Sequence, residues 1–301
     1  MLKQLKMCFF ICVFCVAFGL DGRCLGQADS ALSREEQEIV NNFLDNLRLS
    51  YELLDSYDVS ISTELRLTST SQLIHSLSKS RFAISKDRKR LSCRSETLEF
   101  ADLRRPDLDE EWMNESGKSI DVLQNSDGIF CRRSGRIVKL DSSIYPMARF
   151  AKTARWFNPF LITVLDANSI GTERAEDFRE DTFHGLFKKP IAFSKLADGS
   201  TEVEFSMGET NGVRIDRRII FKDGWPVLTQ NVLTDASQKK SVLDNIDTKW
   251  VEVDGHMVPK VIDIRYSRKS KREIRIVLDW KIGDSVADKT FSTKDLSDWE
   301  E

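Results

Sequence analysis

Three histidines are all this chain offers for proton transfer near neutral pH, and their surroundings do not assemble into a site. His75 lies in a polar stretch after an expected strand, His184 precedes Gly185 at a strand start, and His256 follows a hairpin turn. Each reads as a surface or turn residue. Serine is abundant, but there is no Gly-x-Ser-x-Gly elbow, and no Ser-x-x-Lys stands in the strand-to-helix context that exposes a nucleophile. Carboxylates are numerous and scattered, so no pair at glycosidase spacing can be selected. A P-loop and a GxGxxG fingerprint are also missing from the sequence. No catalytic residue, metal ligand or cofactor is assigned, and the chain reads as non-enzymatic.

Six cysteines fall into two groups. Cys8, Cys12, Cys15 and Cys24 lie in the first 28 residues, leaving Cys93 and Cys131 in the rest of the chain. Neither has a Cys or His neighbour at zinc-ligand spacing. In an oxidising compartment the two could close one disulfide, whose 38-residue loop would contribute roughly 4 kcal/mol. Two separate buried thiols remain the other reading.

The stretch with the most chemical content is apolar. Met147, Phe150, Ala151, Ala154 and Phe157 recur at helical spacing with Arg149, Lys152 and Arg155 opposite. Asn158 and Pro159 are read as the end of that helix, after which Phe160, Leu161, Ile162 and Val164 continue the apolar character. Ordinary core packing accounts for this stripe. So does an amphipathic helix that covers the apolar face of an incompletely closed sheet and opens to admit an acyl chain. On that second reading Tyr145, Met147, Phe150, Trp156, Phe157 and Phe160 line the ligand entrance, where Met and aromatic side chains suit a flexible guest.

The elements that would position such a site are legible on both sides of it. Ser33 and Glu36 form a capping box, followed by Ile39, Val40, Phe43, Leu44, Leu47 and Leu54 on one face, so a helix over 33–54 is expected to cover a sheet. Tyr57, Val59, Ile61, Leu65 and Leu67 then alternate at period two, predicting a half-buried strand over 57–68. Asp127-Gly128, Asp198-Gly199, Asp223-Gly224 and Asp254-Gly255 each separate apolar or alternating runs and predict tight hairpin turns. The strands expected around them cover 120–124 and 129–132, 191–196 and 201–207, 213–221 and 227–233, and 249–253 and 258–266, with a last strand over 273–282. Arg214, Asp216 and Arg218 occupy one side of their strand, which predicts a sheet wet on one face and buried on the other. Residues 101–118 are acidic and turn-rich and read as a solvated loop.

Residues 1–28 set the compartment. Lys3 and Lys6 precede a continuous apolar run from Met7 to Leu20, and Gly26 and Ala28 supply small residues for cleavage. The run is shorter than the ~20 residues a spanning helix needs. A signal peptide cleaved near Gly26 or Ala28 is therefore expected, leaving residues 29–301 as one domain in the periplasm or medium. Cys24 follows Arg23, which argues against lipid attachment there. The whole chain carries a net charge of −3, and loss of Lys3, Lys6, Asp21 and Arg23 takes it to −5, which disfavours nucleic acid as a partner. With 41% hydrophobic and 31% charged residues, the composition is that of a folded protein.

The order of these parts resembles the LolA/LolB superfamily of periplasmic lipoprotein carriers. The resemblance is carried locally by Trp250, Val251, Glu252, Val253, Asp254 and Gly255, followed by Val258, Pro259 and Lys260, with Leu278, Asp279, Trp280 and Lys281 closing the next strand. It implies a mainly β (α+β) fold: a large curved antiparallel sheet, or half-open β-barrel, with an N-terminal helix and a helical insertion at about 144–165 plugging the concave face. It further implies a lipid, acyl chain or lipoprotein as ligand, an acylated protein as partner, and peripheral membrane contact. An envelope sensor or protein-interaction module with a filled core, bound to another envelope protein, is the alternative.

Overall fold

The computed structural model describes residues 32–52, 54, 56–68, 73–85, 91–102, 120–133, 136–140, 159–164, 190–267 and 271–292. Helix α1 (Arg34–Glu52) starts where the capping box places it. The Glu36 backbone N–H donates to Ser33 Oγ at 3.3 Å, and the Ser33 N–H donates back to Glu36 Oε2 at 2.8 Å. The Ser33 hydroxyl also donates to the same carboxylate oxygen at 2.8 Å. Hydrogen bonds from the Ser33 backbone and side chain hold the Glu36 carboxyl below its ordinary range. A carboxyl depressed in the folded state stabilises above its unfolded pKa and loses that contribution as pH falls through the folded value. Ser33→Ala is therefore expected to lower stability at neutral pH through loss of the cap. The difference from the parent protein should shrink in acid, which urea melts at pH 7 and pH 3 would read.

Val40, Leu44 and Leu47 of α1 are buried at helical spacing, and Phe43 stacks on Phe221 with ring centroids 4.7 Å apart. Among the described residues they cover a single antiparallel sheet of 13 strands. Its first half comprises β1 (Tyr57–Thr68), β2 (Leu73–Ile84), β3 (Leu91–Asp102), β4 (Ile120–Asn125), β5 (Gly128–Arg133) and β6 (Arg136–Leu140). After the short helix α2 (Pro159–Ile162), the second half comprises β7 (Pro190–Lys195), β8 (Thr201–Thr210), β9 (Val213–Lys222), β10 (Trp225–Thr234), β11 (Lys240–Val253), β12 (His256–Tyr266) and β13 (Lys271–Ile282). Each half is a meander, and β1 joins them by pairing with β13 along all of its length. Among the described strands β6 and β7 are the two edges, so the sheet is open rather than closed into a barrel.

Three hairpin turns have two consecutive residues at positive φ: Asn211 and Gly212, Asp223 and Gly224, and Asp254 and Gly255. That geometry matches the right-handed twist of the strands, and short polar side chains or glycine tolerate it. Asn211-Gly212 carries the same signal as the Asp-Gly pairs but was not among the four expected turns. At Asp198-Gly199 only the glycine is left-handed, and Asp198 instead accepts from the Ser200 N–H and hydroxyl at 3.1 and 2.6 Å.

Prolines inside strands would break the ladder, and here they sit at bulges. The register slips beside Pro226 in β10 and beside Pro259 in β12. Each bulge leaves a carbonyl for a tryptophan. Trp250 Nε1 donates to Pro226 O at 2.8 Å, and Trp280 Nε1 donates to Pro259 O at 2.7 Å.

The outer face of the sheet is laced by ion pairs, including Arg218 with Glu202 at 2.8 Å and Arg265 with Asp247 at 3.4 Å. It is not wet throughout. After β13 the chain makes a 3-10 turn at Gly283–Ser285 and another at Asp288–Phe291, and Phe291 packs with Ala83 and Leu123 in a small second core. Register puts Asp58, Ala83, Ser92, Leu123 and Phe130 in one row on this face. At the end of the row Arg81 grips both oxygens of the buried Asp58 and also reaches Thr290 Oγ1 at 3.3 Å.

Several sequence expectations are revised. Pro159 opens α2, a position where its missing N–H costs nothing and its fixed φ suits the first helical residue, while the helix expected before it lies outside the described residues. His75 lies within β2, and residues 101 and 102 belong to β3. Residues 103–119 and His184 lie outside the described residues, as do residues 1–31. For the cysteines, Cys93 stands opposite Val122 and Val122 opposite Cys131. One strand therefore separates them, which puts their Cα atoms about 9 to 10 Å apart at ordinary strand spacing. A disulfide needs Cα atoms within about 7 Å, so this register favours two separate thiols. Alkylation of the denatured, unreduced protein should label both, as read by peptide mass spectrometry; a crosslinked peptide pair would contradict the register.

Candidate functional site

The apolar inner face is where the chain concentrates shape. Alternate residues of β13 and β1 point there: Leu278, Trp280 and Ile282 beside Ile61, Val59 and Tyr57. Period two forces this, since the same strands put Asp279 and Ser60 on the opposite side. Over this floor α2 sets down Phe160, Ile162 and Val164, all buried in the same continuous core as α1. Phe160 is fully buried between two indoles, 5.7 Å from the Trp250 ring centroid and 6.0 Å from that of Trp280. Trp225 extends the cluster from Trp250 at 4.8 Å, and Tyr57 extends it from Trp280 at 5.6 Å.

A polar link also ties the α2 turn to the sheet. Thr229 Oγ1 of β10 donates to the Thr163 carbonyl at 2.8 Å, while the Thr163 hydroxyl folds back onto the Phe160 carbonyl at 2.6 Å. Thr229 is itself fully buried on the inner face, opposite Ile219 and Ile246.

Two residues further along these strands the apolar floor gives way to a buried polar row. Arg217, Asn231 and Asp244 stand opposite one another on β9, β10 and β11. Arg217 Nε donates to Asn231 Oδ1 at 3.0 Å, and Asn231 Nδ2 donates to Asp244 Oδ2 at 3.0 Å. A bulge between Asn231 and Val232 lets the Asn231 backbone N–H reach Asp244 Oδ1 at 3.1 Å. The row continues through Tyr266, over whose ring the Arg272 guanidinium lies at 5.6 Å. The inner face thus has a long apolar stretch and a charged end, the division of an amphiphile.

Of the expected entrance residues, Phe160 is placed, and it is core to this cluster. Tyr145, Met147, Phe150, Trp156 and Phe157 lie outside the described residues. The sequence reading passed over Trp225, Trp250 and Trp280 as floor and Arg217, Asn231 and Asp244 as the polar end. Two of those tryptophans were visible beside hairpin turns. The polar row had no period-two signal, because it puts charges on the buried face.

A hollow of about 50 Å³ between the β8–β9 and β10–β11 turns is lined by Glu209, Gly212, Arg214, Thr234, Asp235 and Gln238, a polar lining that suits water. His75 pairs with Glu64 at 3.2 Å on a half-buried stretch of the ladder. Arg66 first and His75 second hold that carboxyl below its ordinary range. Among the described residues no group of three or more His, Cys, Asp or Glu side chains could hold a metal, and no helix is long and apolar enough to cross a membrane.

The chain is similar in structure to a LolA superfamily protein from Nitrosomonas europaea, with 14% identity and a TM-score of 0.38 over 86% of this chain and 98% of that one. It is also similar to a DUF1329 family protein from Desulfovibrio piger, with 9% identity and a TM-score of 0.40 over 85% and 98% of the two chains. A candidate outer membrane lipoprotein-sorting protein domain from Vibrio parahaemolyticus matches with 10% identity and a TM-score of 0.39 over 87% and 98%. No protein-family model matches the chain, and no curated protein matches it.

Proposed function

We propose that this is an exported, non-enzymatic protein that takes up the acyl chain of a lipid or acylated polypeptide on the inner face of its sheet, with α2 as the plug that an incoming chain replaces. The observation that carries this reading is the seat of Phe160. One helical turn holds a fully buried phenyl ring against Trp250 and Trp280, with Thr229 to Thr163 as its polar link to the sheet.

Apolar contacts are not directional, so an acyl chain can substitute for the plug at comparable energy. Burying Phe160, Ile162 and Val164 is worth roughly 5 to 9 kcal/mol at about 1.5 to 3 per side chain. About fourteen buried methylenes are worth roughly 11 kcal/mol at ~0.8 each. The balance lies close enough to zero for exchange in both directions, as a carrier requires. The polar row at Arg217, Asn231 and Asp244 would then meet a headgroup. Export rests on the leader read in residues 1–28.

Complete burial of Phe160, Ile162 and Val164 within one core favours a second reading, an envelope interaction module whose interior is permanently filled. Solvent extraction of the purified protein followed by lipid mass spectrometry separates the two. A stoichiometric acyl lipid is the expected result. An empty extract, together with no uptake of a fluorescent fatty acid, supports the filled module.

A further inference from the structure

The two edges of the sheet are built differently. β7 is blunted, because proline at its first residue supplies no N–H and its register with β8 slips between Pro190 and Ala192. β6 has neither device. Its five residues pair one to one with β5, from Arg133 opposite Arg136 to Ile129 opposite Leu140, and it contains no proline or glycine. Among the described strands β6 is paired on one side only. Its other row of backbone N–H and C=O groups is a template for one more strand.

Side chains mark the same edge. Ile137 and Val138 are 42% and 44% exposed, more than Leu49 or Val242, the other exposed large hydrophobics among the described residues. They are consecutive in a strand and so lie on opposite faces, where an added strand would cover both and a flat apolar partner could reach only one. Residues 128–140 hold Arg132, Arg133, Arg136 and Lys139 between Asp127 and Asp141, with Asp121 opposite Arg132, which leaves this edge net positive in a chain whose net charge is −3. Lys139 is exposed beside this edge, its ammonium 5.8 Å from the Phe130 ring centroid.

We propose that the β6 edge is a docking site at which an extended, acidic segment of a partner polypeptide adds as a further antiparallel or parallel strand. Main-chain hydrogen bonds to β6 supply affinity, and carboxylates on the partner meet the basic residues of β5 and β6. An anionic membrane would also be attracted to this charge. It cannot supply backbone partners in register, and the regular ladder, paired on one side only among the described strands, is what favours a strand. This site is independent of the inner face and stands whether or not that face takes an acyl chain.

The test uses the purified protein and an end-capped eight-residue peptide of valine, threonine and glutamate. Two control peptides accompany it, one N-methylated at alternate residues and one with lysine for glutamate. Hydrogen exchange and fluorescence anisotropy are the readouts. The glutamate peptide should bind and slow exchange at residues 136–140, with both controls weaker by about tenfold or more. Arg136→Glu with Lys139→Glu should weaken the glutamate peptide by a similar factor and leave the melting temperature unchanged. The N-methyl comparison needs no variant, so it holds however that variant folds. Equal binding of the N-methylated peptide would overturn the proposal. So would unslowed exchange at 136–140, protection there with phosphatidylglycerol vesicles only, or protection from self-association without peptide.

Discussion

Phe160→Asp is expected to leave the sheet folded and to raise the affinity for a fluorescent fatty acid by about tenfold or more, because the cost of displacing the plug has already been met. The wild-type ring is fully buried between Trp250 and Trp280. An aspartate there cannot stay without an unpaired buried charge, so the turn lifts instead and the loss is limited to the plug's own burial. That is roughly 5 to 9 kcal/mol for Phe160, Ile162 and Val164 together, or a fall of about 10 °C or more in melting temperature for a domain of this size. A permanently filled core would respond otherwise. It would lose cooperative melting altogether, with no gain in fatty-acid binding. Circular dichroism melting beside a fatty-acid titration reads both outcomes.

Trp280→Ala should be the most damaging single truncation of the floor. Its ring touches Tyr57 and Phe160, and its indole N–H is the partner of the Pro259 carbonyl freed by the β12 bulge. The cavity is worth about 3 to 5 kcal/mol, and the orphaned carbonyl adds about 1 to 3 more. Melting by circular dichroism should fall by roughly 10 to 20 °C. Trp280→Phe restores a ring without the N–H and should recover more than half of that loss. Equal damage from both substitutions would mean that the hydrogen bond, rather than the packing, holds this corner.

What the sequence disclosed follows where its side chains obey one period. β1 is legible over its full length because Tyr57, Val59 and Ile61 are buried in alternation and β13 answers them with Ile282, Trp280 and Leu278. The capping box at Ser33 and Glu36 is local chemistry and is met in full. β2 was missed because Ser76, Ser78 and Ser80 fill one of its faces and His75 and Lys79 the other, with burial concentrated at Phe82 and Ala83 near its end. The first half of β11 was missed for a different reason. Asp244 is buried on the apolar face through its contacts with Asn231, so the strand reads as polar where it is most enclosed. Pro159 was read only as a stop, although proline also suits the first turn of a helix, and it opens α2.

Displacement of α2 by an acyl chain is most directly tested by hydrogen exchange at residues 160–164 during titration of the purified protein with palmitate. The Thr163 N–H donates to the Phe160 carbonyl at 3.2 Å in the seated plug. Saturable acceleration of exchange there, with unchanged protection across β12 and β13, is the result expected when an acyl chain takes the place of Phe160. Unchanged exchange at 160–164 at palmitate concentrations that saturate any binding would contradict a displaceable plug and leave the inner face a filled core.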